Sequence, residues 1–517
     1  MKRIVANIPK SVIIIFFGLV LFLPFLGSFE LTAITEGEYS GVAREMVQKH
    51  DFISLYFNNE FWADKPPLHL WLLALFGTLG KWSEFSLRLP GVLMTILIGL
   101  LIYLMGKKFI TKRAGFLAAL IFFTNIETIV SGQIVFVDMT FTFFTTVALY
   151  NFMMFFHNGE NKISIYSFFA ACAGAVMTKG LIGILIPAGG ALGFFIWHKK
   201  WDIILKHTRD LLIGLGIFLL LTSPWYIMEI IFYKDTFIQR FFTHFNIERF
   251  TKGVDNANPW FYYLIIMPIT LFPWSSFLKN GFFALKQIEN KIFTRSLASL
   301  SIFTIIFFSI SVTKLHTYLL PLYPFWSLLF AHGWDYNWEH GKRATIKSFS
   351  GSLIVFPLTL IVLIVASLNV DGHKITHLML PTIIAISITL CLVIVGSLRK
   401  MNLRNSCLVL IIGMVFVMNL NIKGYIMPYM QNHFMYVKDF SLLINSEYHQ
   451  GDKIATTTRS STSLVFYTQK KVDYPQNIKS YFNQKAKIFL IIPAKALNFP
   501  AKILGKKSDW ILITNKW

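Results

Sequence analysis

Residues 163–197 read ISIYSFFAACAGAVMTKGLIGILIPAGGALGFFIW, with Lys179 as the only charged side chain. A bilayer core about 30 Å thick is crossed by about 20 residues of helix. A run of 35 residues is therefore too long for one span and right for two, 163–178 and 180–197, joined by a tight turn at Lys179. The pair 297–312 and 317–333, broken by Thr313, Lys314, Leu315 and His316, has the same form. The same window places further spans at 11–27, 89–106, 114–131, 138–156, 211–230, 259–277, 349–367, 379–397 and 405–422, so the sequence predicts an α-helical polytopic membrane protein of about 13 transmembrane helices.

Composition agrees. A chain of 517 residues that is 55% hydrophobic and 14% charged has too little polar side chain to cover a water-soluble globule of its size. Its 52 Phe and 13 Trp suit lipid-facing helices with aromatic anchors at the interfaces. Cys172, Cys391 and Cys407 all lie inside apolar runs, which supports neither a disulfide framework nor a thiolate metal site. Met1 to Gly27 imitates a secretory signal, but no small-x-small cleavage site follows, and the segment reads as a retained first span.

The net charge of +22 would suggest nucleic acid in a soluble protein; here it is topological, and no nucleic-acid partner is expected. With the N-terminus in the cytoplasm, the inside segments are 1–10, 107–113, 157–163, 198–210, 279–296, 334–348 and 398–404, and they carry 22 of the 48 Lys and Arg. Clusters such as Lys107, Lys108, Lys112 and Arg113 thus fall where the positive-inside rule requires. The same topology puts the C-terminus outside a cytoplasmic (inner) membrane. Two outside segments exceed simple connectors. In 28–88, Tyr39, Val42, Ala43, Met46 and Val47, and later Leu68, Trp71, Leu72 and Leu75, recur at helical spacing and predict interfacial helices. In 423–517, runs such as 487–492 and 510–514 are rich in β-formers and predict a small soluble α/β domain, leaving 1–422 as the membrane domain.

Polar residues gather on this outside face: Glu36, Glu38, Asp64, Lys65, Asp138, Lys179, His244, Asn246, Arg249, Lys314 and His316. Each has an ordinary reading: Lys179 and Lys314 as interface anchors, Asp138 as a helix cap, Glu248–Arg249 as a surface ion pair, the histidines as satisfied interface residues. Their co-occurrence on one face argues for a site. Several cations around a carboxylate suit a phosphate-bearing substrate, the cations stabilising the leaving anion and the carboxylate deprotonating a nucleophile. A proton-coupled transporter could use the same carboxylates, but would normally hold them at mid-membrane on broken helices.

Thr35-Glu-Gly-Glu-Tyr-Ser-Gly-Val-Ala-Arg-Glu-Met46, Phe61-Trp-Ala-Asp-Lys-Pro-Pro-Leu68 and Arg88-Leu-Pro90 resemble the bacterial branch of the protein-mannosyltransferase superfamily, which includes the aminoarabinose transferases of lipid A. The likeness continues through Val137-Asp-Met139, Met177-Thr-Lys-Gly180, Ser223-Pro-Trp-Tyr226, Asn246-Ile-Glu-Arg-Phe250, Phe272-Pro-Trp274 and Lys314-Leu-His-Thr-Tyr-Leu-Leu-Pro321, covering residues 10–335 in order. These are type-C glycosyltransferases, which use polyprenyl-phosphate sugars at the outer face of the membrane. The resemblance implies an inverting transfer of a hexosyl or pentosyl group from a polyprenyl-phosphate sugar to a lipid, glycan or protein acceptor in the envelope, lipid A among them. A transporter or flippase of lipid-linked intermediates and a non-catalytic member are the alternatives.

Carried over by position, the resemblance implies that Lys65 contacts the donor phosphate, that Asp138 is the second important acidic residue, that Tyr39 and Tyr318 line the site, and that Arg249 and Lys314 are basic positions of the same face. Lys179 joins the substrate-binding set. Where the family has Asp-Glu this chain has Thr35-Glu36; Thr cannot serve as a base at neutral pH, so Glu36 is expected to take that role, with Asp138 orienting the acceptor or a basic partner. In the family a divalent metal has been suspected near the acidic residue before the Lys-Pro element, here Asp64, but no ligand spacing in this chain compels one.

Overall fold

The computed structural model describes residues 8–32, 35–199, 201–253, 257–278, 281–282, 288–339, 361, 376–398, 403–417, 419, 426–433, 435–458 and 461–516. Helix lies in twelve of the thirteen ranges expected to span; apart from Ile361 the other, 349–367, is outside the described residues. Among the described residues, four helical runs are long and apolar enough by themselves to cross a membrane: Glu84–Phe109, Val137–His157, Thr208–Thr251 and Lys291–Ile310. Leu212, Leu220, Ile231 and other large side chains of the third stand exposed, as lipid-facing positions do. The membrane part is a set of closely packed helices. Two helices meet backbone to backbone at Gly106, where a Cβ would lie 2.2 Å from the Cα of Gly115.

The apolar run 163–197 divides as its length demands. The Lys162–Lys179 helix ends at Gly180, whose φ of 84° suits a residue without Cβ, and Ile182–His198 follows. Elsewhere local chemistry interrupts the expected spans. Asn125 accepts a hydrogen bond from the Thr128 backbone N–H (2.9 Å) and so starts a new short helix, Ile126–Ser131, in the middle of 114–131. Within 317–333, a 3₁₀ turn at His316–Leu322, containing Pro321, precedes the Tyr323–Glu339 helix.

Residues 28–88 contain two helices, Thr35–Lys49 and Leu68–Leu79, separated by a small hairpin of strands β1 (Tyr56–Phe57) and β2 (Glu60–Phe61). The C-terminal segment holds β3 (Lys453–Thr456), β4 (Val472–Asp473), β5 (Ile488–Pro493), β6 (Lys502–Lys507) and β7 (Trp510–Thr514) in the order β4-β3-β5-β7-β6. β3 pairs parallel with β4 and β5, and β7 antiparallel with β5 and β6. Period-two burial gives the sheet two apolar faces: Ile454, Phe489, Ile491 and Leu512 pack with Phe440, Ile444 and Leu464, while Ala455, Ile488, Leu490 and Ile513 pack with Phe482.

This C-terminal layer docks on the segment 28–88. Asn58 and Val472 exchange two hydrogen bonds (2.8 and 2.9 Å), and the Tyr467 hydroxyl accepts from the Leu31 N–H (2.8 Å) and donates to Glu84 (2.9 Å). The Arg44 guanidinium lies over the rings of Trp82 and Phe466. Gly37 is the closest touch: a Cβ there would lie 2.2 Å from the Ser463 nitrogen.

Candidate active site

At 3.6 residues per turn, residues two apart on a helix face nearly opposite ways, about 200° round. Glu36 and Glu38 on the Thr35–Lys49 helix do so. Glu36 turns inward and is 1% exposed. Its carboxylate accepts from Arg88 Nε and Nη2 (both 2.9 Å), from Thr32 N and Oγ1 (both 2.8 Å) and from Val135 N (2.8 Å). The Arg88 guanidinium, fully buried, also donates to the carbonyls of Leu26, Phe29 and Glu30 (2.9–3.0 Å). Although burial opposes ionisation, Arg88 and these donors hold the Glu36 carboxyl below its ordinary pKa. That corrects the expectation for Glu36. A carboxylate with five donors and no open face binds the Thr35–Lys49 helix to the Glu84–Phe109 helix; it is not placed to take a proton from a substrate.

Glu38, on the other side of the same helix, and Tyr39, between the two glutamates, both meet the loop 62–67 at Trp62. Trp62 Nε1 donates to Glu38 Oε1 (2.8 Å), and the Trp62 and Tyr39 rings meet edge to face at 5.9 Å. Pro66 and Pro67 fix the backbone of the loop just before the Leu68–Leu79 helix, so Asp64 and Lys65 are held rather than free to swing. Lys65 Nζ donates to the Asp64 carbonyl (2.8 Å) and lies 5.3 Å from the centre of the Phe245 ring, which Arg249 shares at 5.4 Å. Asp64 Oδ1 is 3.5 Å from Arg240 Nε, and Arg240 also donates to the Phe61 carbonyl (2.8 Å). Burial pulls the Lys65 ammonium down to about 8 against the pull of Asp64, with Arg249 and Lys179 also close enough to lower it. Burial, and then the charge of Asp64, pushes the Glu38 carboxyl up to about 7. Tyr39 is kept neutral by burial and feels Glu38, Asp138, Asp64 and Arg249 together.

The third wall comes from the membrane helices. Asp138, in the first turn of Val137–His157, is buried and ion-paired with Lys179, the last residue of Lys162–Lys179. Lys179 also sits 5.0 Å from the Tyr318 ring and 5.2 Å from that of Phe141. Lys65, Lys179 and Arg249 therefore face Glu38, Asp64 and Asp138 around Tyr39, with Tyr318 behind Lys179.

Lys314 departs from its expected role. Only 3% exposed, its ammonium donates to the carbonyls of Asn258 (2.9 Å) and Ser311. Thr313 N donates to the Arg249 carbonyl (3.2 Å) and Val312 N to that of Phe250 (2.9 Å), so Lys314 pins the loop that carries Arg249 rather than offering its charge to a phosphate. His244 bonds Glu248 (3.1 Å) one turn on, in a half-exposed ion pair. His316 bonds Glu127 (3.0 Å), whose Oε1 also accepts from Ser131 Oγ (2.8 Å); Glu127, itself buried, is not legible in the sequence because it lies inside the apolar run 114–131 that the break at Asn125 divides. Phe245, between two cations, was likewise missed. Among the described residues no three His, Cys, Asp or Glu side chains gather to hold a metal ion, and Asp64 has Arg240 as its neighbour; this donor set does not fit a resident divalent metal.

The family model described as dolichyl-phosphate-mannose-protein mannosyltransferase matches residues 64–228. An uncharacterised protein of Aquifex aeolicus is 29% identical over 301 residues, 58% of this chain and 67% of that one. The undecaprenyl phosphate-alpha-4-amino-4-deoxy-L-arabinose arabinosyl transferase 2 of Pseudomonas fluorescens (strain Pf0-1) is 27% identical over 59% of this chain; the match spans only 56% of that relative's length. Among solved structures, ArnT from Cupriavidus metallidurans bound to undecaprenyl phosphate is similar at a TM-score of 0.82, with 19% identity and 98% of each chain covered. The archaeal oligosaccharyltransferase AglB from Archaeoglobus fulgidus is similar at 0.50, with 11% identity, over 94% of this chain and 69% of that one. By sequence over part of its length, and by fold over nearly all of it, the chain is similar to the aminoarabinose transferases and has the fold of these membrane glycosyltransferases.

Proposed function

We propose that the protein is an inverting glycosyltransferase that moves a sugar from a polyprenyl-phosphate donor to an envelope acceptor on the outer face of the cytoplasmic membrane. In this reading the chain has about thirteen spans, a cytoplasmic N-terminus, and an outside α/β domain over 423–517. The observation that carries the function is the convergence of Lys65, Lys179 and Arg249 on the carboxylates around Tyr39. Inverting displacement at an anomeric carbon needs a stabilised phosphate leaving group and one base on the opposite side. Lys65 and Arg249 hold the donor phosphate, flanking Phe245; Lys179, paired with Asp138, completes the positive field. Asp138 fixes that lysine and orients the acceptor. Tyr39 and Tyr318 line the sugar pocket, where an aromatic face suits the apolar side of a sugar ring.

Charges of both signs also explain why the site tolerates burial: the carboxylates offset the cations, and an arriving phosphate finds those cations already in place. Full-length protein in proteoliposomes, supplied with undecaprenyl-phosphate 4-amino-4-deoxy-L-arabinose and other undecaprenyl-phosphate sugars together with an envelope lipid extract containing lipid A, should release undecaprenyl phosphate from one of them. Movement of donor between leaflets without release would mean a transporter; neither release nor movement would mean a non-catalytic member.

A further inference from the structure

We infer that Glu38 is the general base of this chain, occupying by helical phase the place left by the Thr at position 35. The inference rests on the glycosyltransferase reading above and deepens it. Thr35 and Glu38 are three residues apart and so share a face of the Thr35–Lys49 helix. Glu36 faces away and has every acceptor position filled. Asp138 has its carboxylate engaged by the Lys179 ammonium. Asp64 lies against Arg240 and beside Lys65, where its charge steadies cations that must hold phosphate.

Among the described residues, Glu38 is the one of these carboxylates with no cation bonded to it. Its one hydrogen bond among the described residues comes from the neutral indole of Trp62, to Oε1, which orients the carboxylate and leaves Oε2 without a donor. The groups facing it are Tyr39 on its own helix, Asp64 and Lys65 on the loop, and Arg240 on the 238–248 segment. Burial and the Asp64 charge outweigh the cations and Trp62, and its affinity for a proton sits near neutral pH, where a base works best.

In the step assigned to it, the acceptor O–H proton passes to Glu38 as the acceptor oxygen forms a bond to the anomeric carbon. The bond from that carbon to the phosphate oxygen breaks, and its electron pair leaves with polyprenyl phosphate, which Lys65 and Arg249 hold. The proton on Glu38 is then lost to water.

The test is steady-state turnover of the full-length protein with undecaprenyl-phosphate sugar and envelope lipid extract, alongside binding of the same donor, for wild type, Glu38→Gln and Glu38→Asp. The expected result is a kcat lowered about 10²–10⁴-fold in Glu38→Gln, with donor binding within threefold of wild type and partial recovery in Glu38→Asp. Wild-type kcat should rise with pH through neutrality, because the carboxylate must be ionised to act, and that limb should vanish in Glu38→Gln. If wild type turns over and Glu38→Gln stays within threefold of it, the base assignment falls while the glycosyltransferase reading stands. Loss of donor binding and turnover together in Glu38→Gln would overturn it too, by showing a structural role. A wild type that neither binds nor cleaves any donor overturns both.

Discussion

Replacing Glu36 by Gln separates a structural carboxylate from a catalytic one. Oε1 accepts from Arg88 Nε and Val135 N, and Oε2 from Arg88 Nη2, Thr32 N and Thr32 Oγ1. Whichever oxygen becomes the amide nitrogen, at least two donors then point at another donor. Leaving buried donors unsatisfied costs about 1–3 kcal/mol each, and breaking a buried ion pair from one side costs about 3–5 kcal/mol. These describe one loss counted two ways, so the expected destabilisation is about 3–5 kcal/mol in all. Arg88→Met should cost a similar amount, and the double variant should fall short of the sum by about 1–3 kcal/mol because both remove the same interaction. The sign with pH follows from the depressed carboxyl: this stability is fully present above the ordinary carboxyl value and is lost as pH falls through the lower value of the folded state. Reversible unfolding in mixed micelles, read by tryptophan fluorescence, measures each value. A Glu36→Gln protein as stable as wild type to within about 1 kcal/mol, the scale of an exposed ion pair, yet hundreds of times slower, would refute the reasoning and return the base to Glu36.

Lys65→Ala should weaken donor binding at least tenfold while the protein still inserts, and Lys65→Arg should recover it only in part, since a planar fork replaces a compact ammonium; isothermal titration with undecaprenyl phosphate reads both. Because burial holds the free Lys65 ammonium near 8, donor affinity in the wild type should decline as pH rises past that value, a dependence absent from Lys65→Arg. Gly37→Val should loosen the C-terminal layer, as no side chain fits against Ser463, and limited proteolysis between 423 and 460 should accelerate; an unchanged digestion rate would mean that the contact is not tight. Reporter fusions after Lys108, Lys200 and Arg343 should report cytoplasm, and those after Asp235 and Lys438 the outside; a cytoplasmic signal from the last would split the polar cluster between two faces.

The parts of the fold that were legible in the sequence are those fixed by local pattern. The length of 163–197 and its single Lys were enough to set two helices and the turn between them, and the spacing of Tyr39, Val42, Ala43 and Met46 set the buried face of the Thr35–Lys49 helix. The same spacing could have corrected Glu36: it lies about 60° from Tyr39 around the helix, inside the buried stripe, whereas Glu38 lies about 100° off on the other side. What no local pattern carries is the partner. Arg88 is 52 residues from Glu36, and only the fold brings its guanidinium there. Lys314 read as a basic site residue because its motif has one; that its ammonium turns back onto the Asn258 and Ser311 carbonyls depends on how two loops pair. The docking of Tyr467 and Asn58 across more than 400 residues is of the same kind.

The central claim is that a donor phosphate sits among Lys65, Arg249 and Lys179 on the face that carries Glu38. A structure of the protein with undecaprenyl phosphate tests it most directly. The phosphate should lie within hydrogen-bond distance of Lys65 Nζ and the Arg249 guanidinium, on the side of Tyr39 that Glu38 faces. A phosphate bound elsewhere, or held by Lys314 with Lys65 untouched, would contradict it.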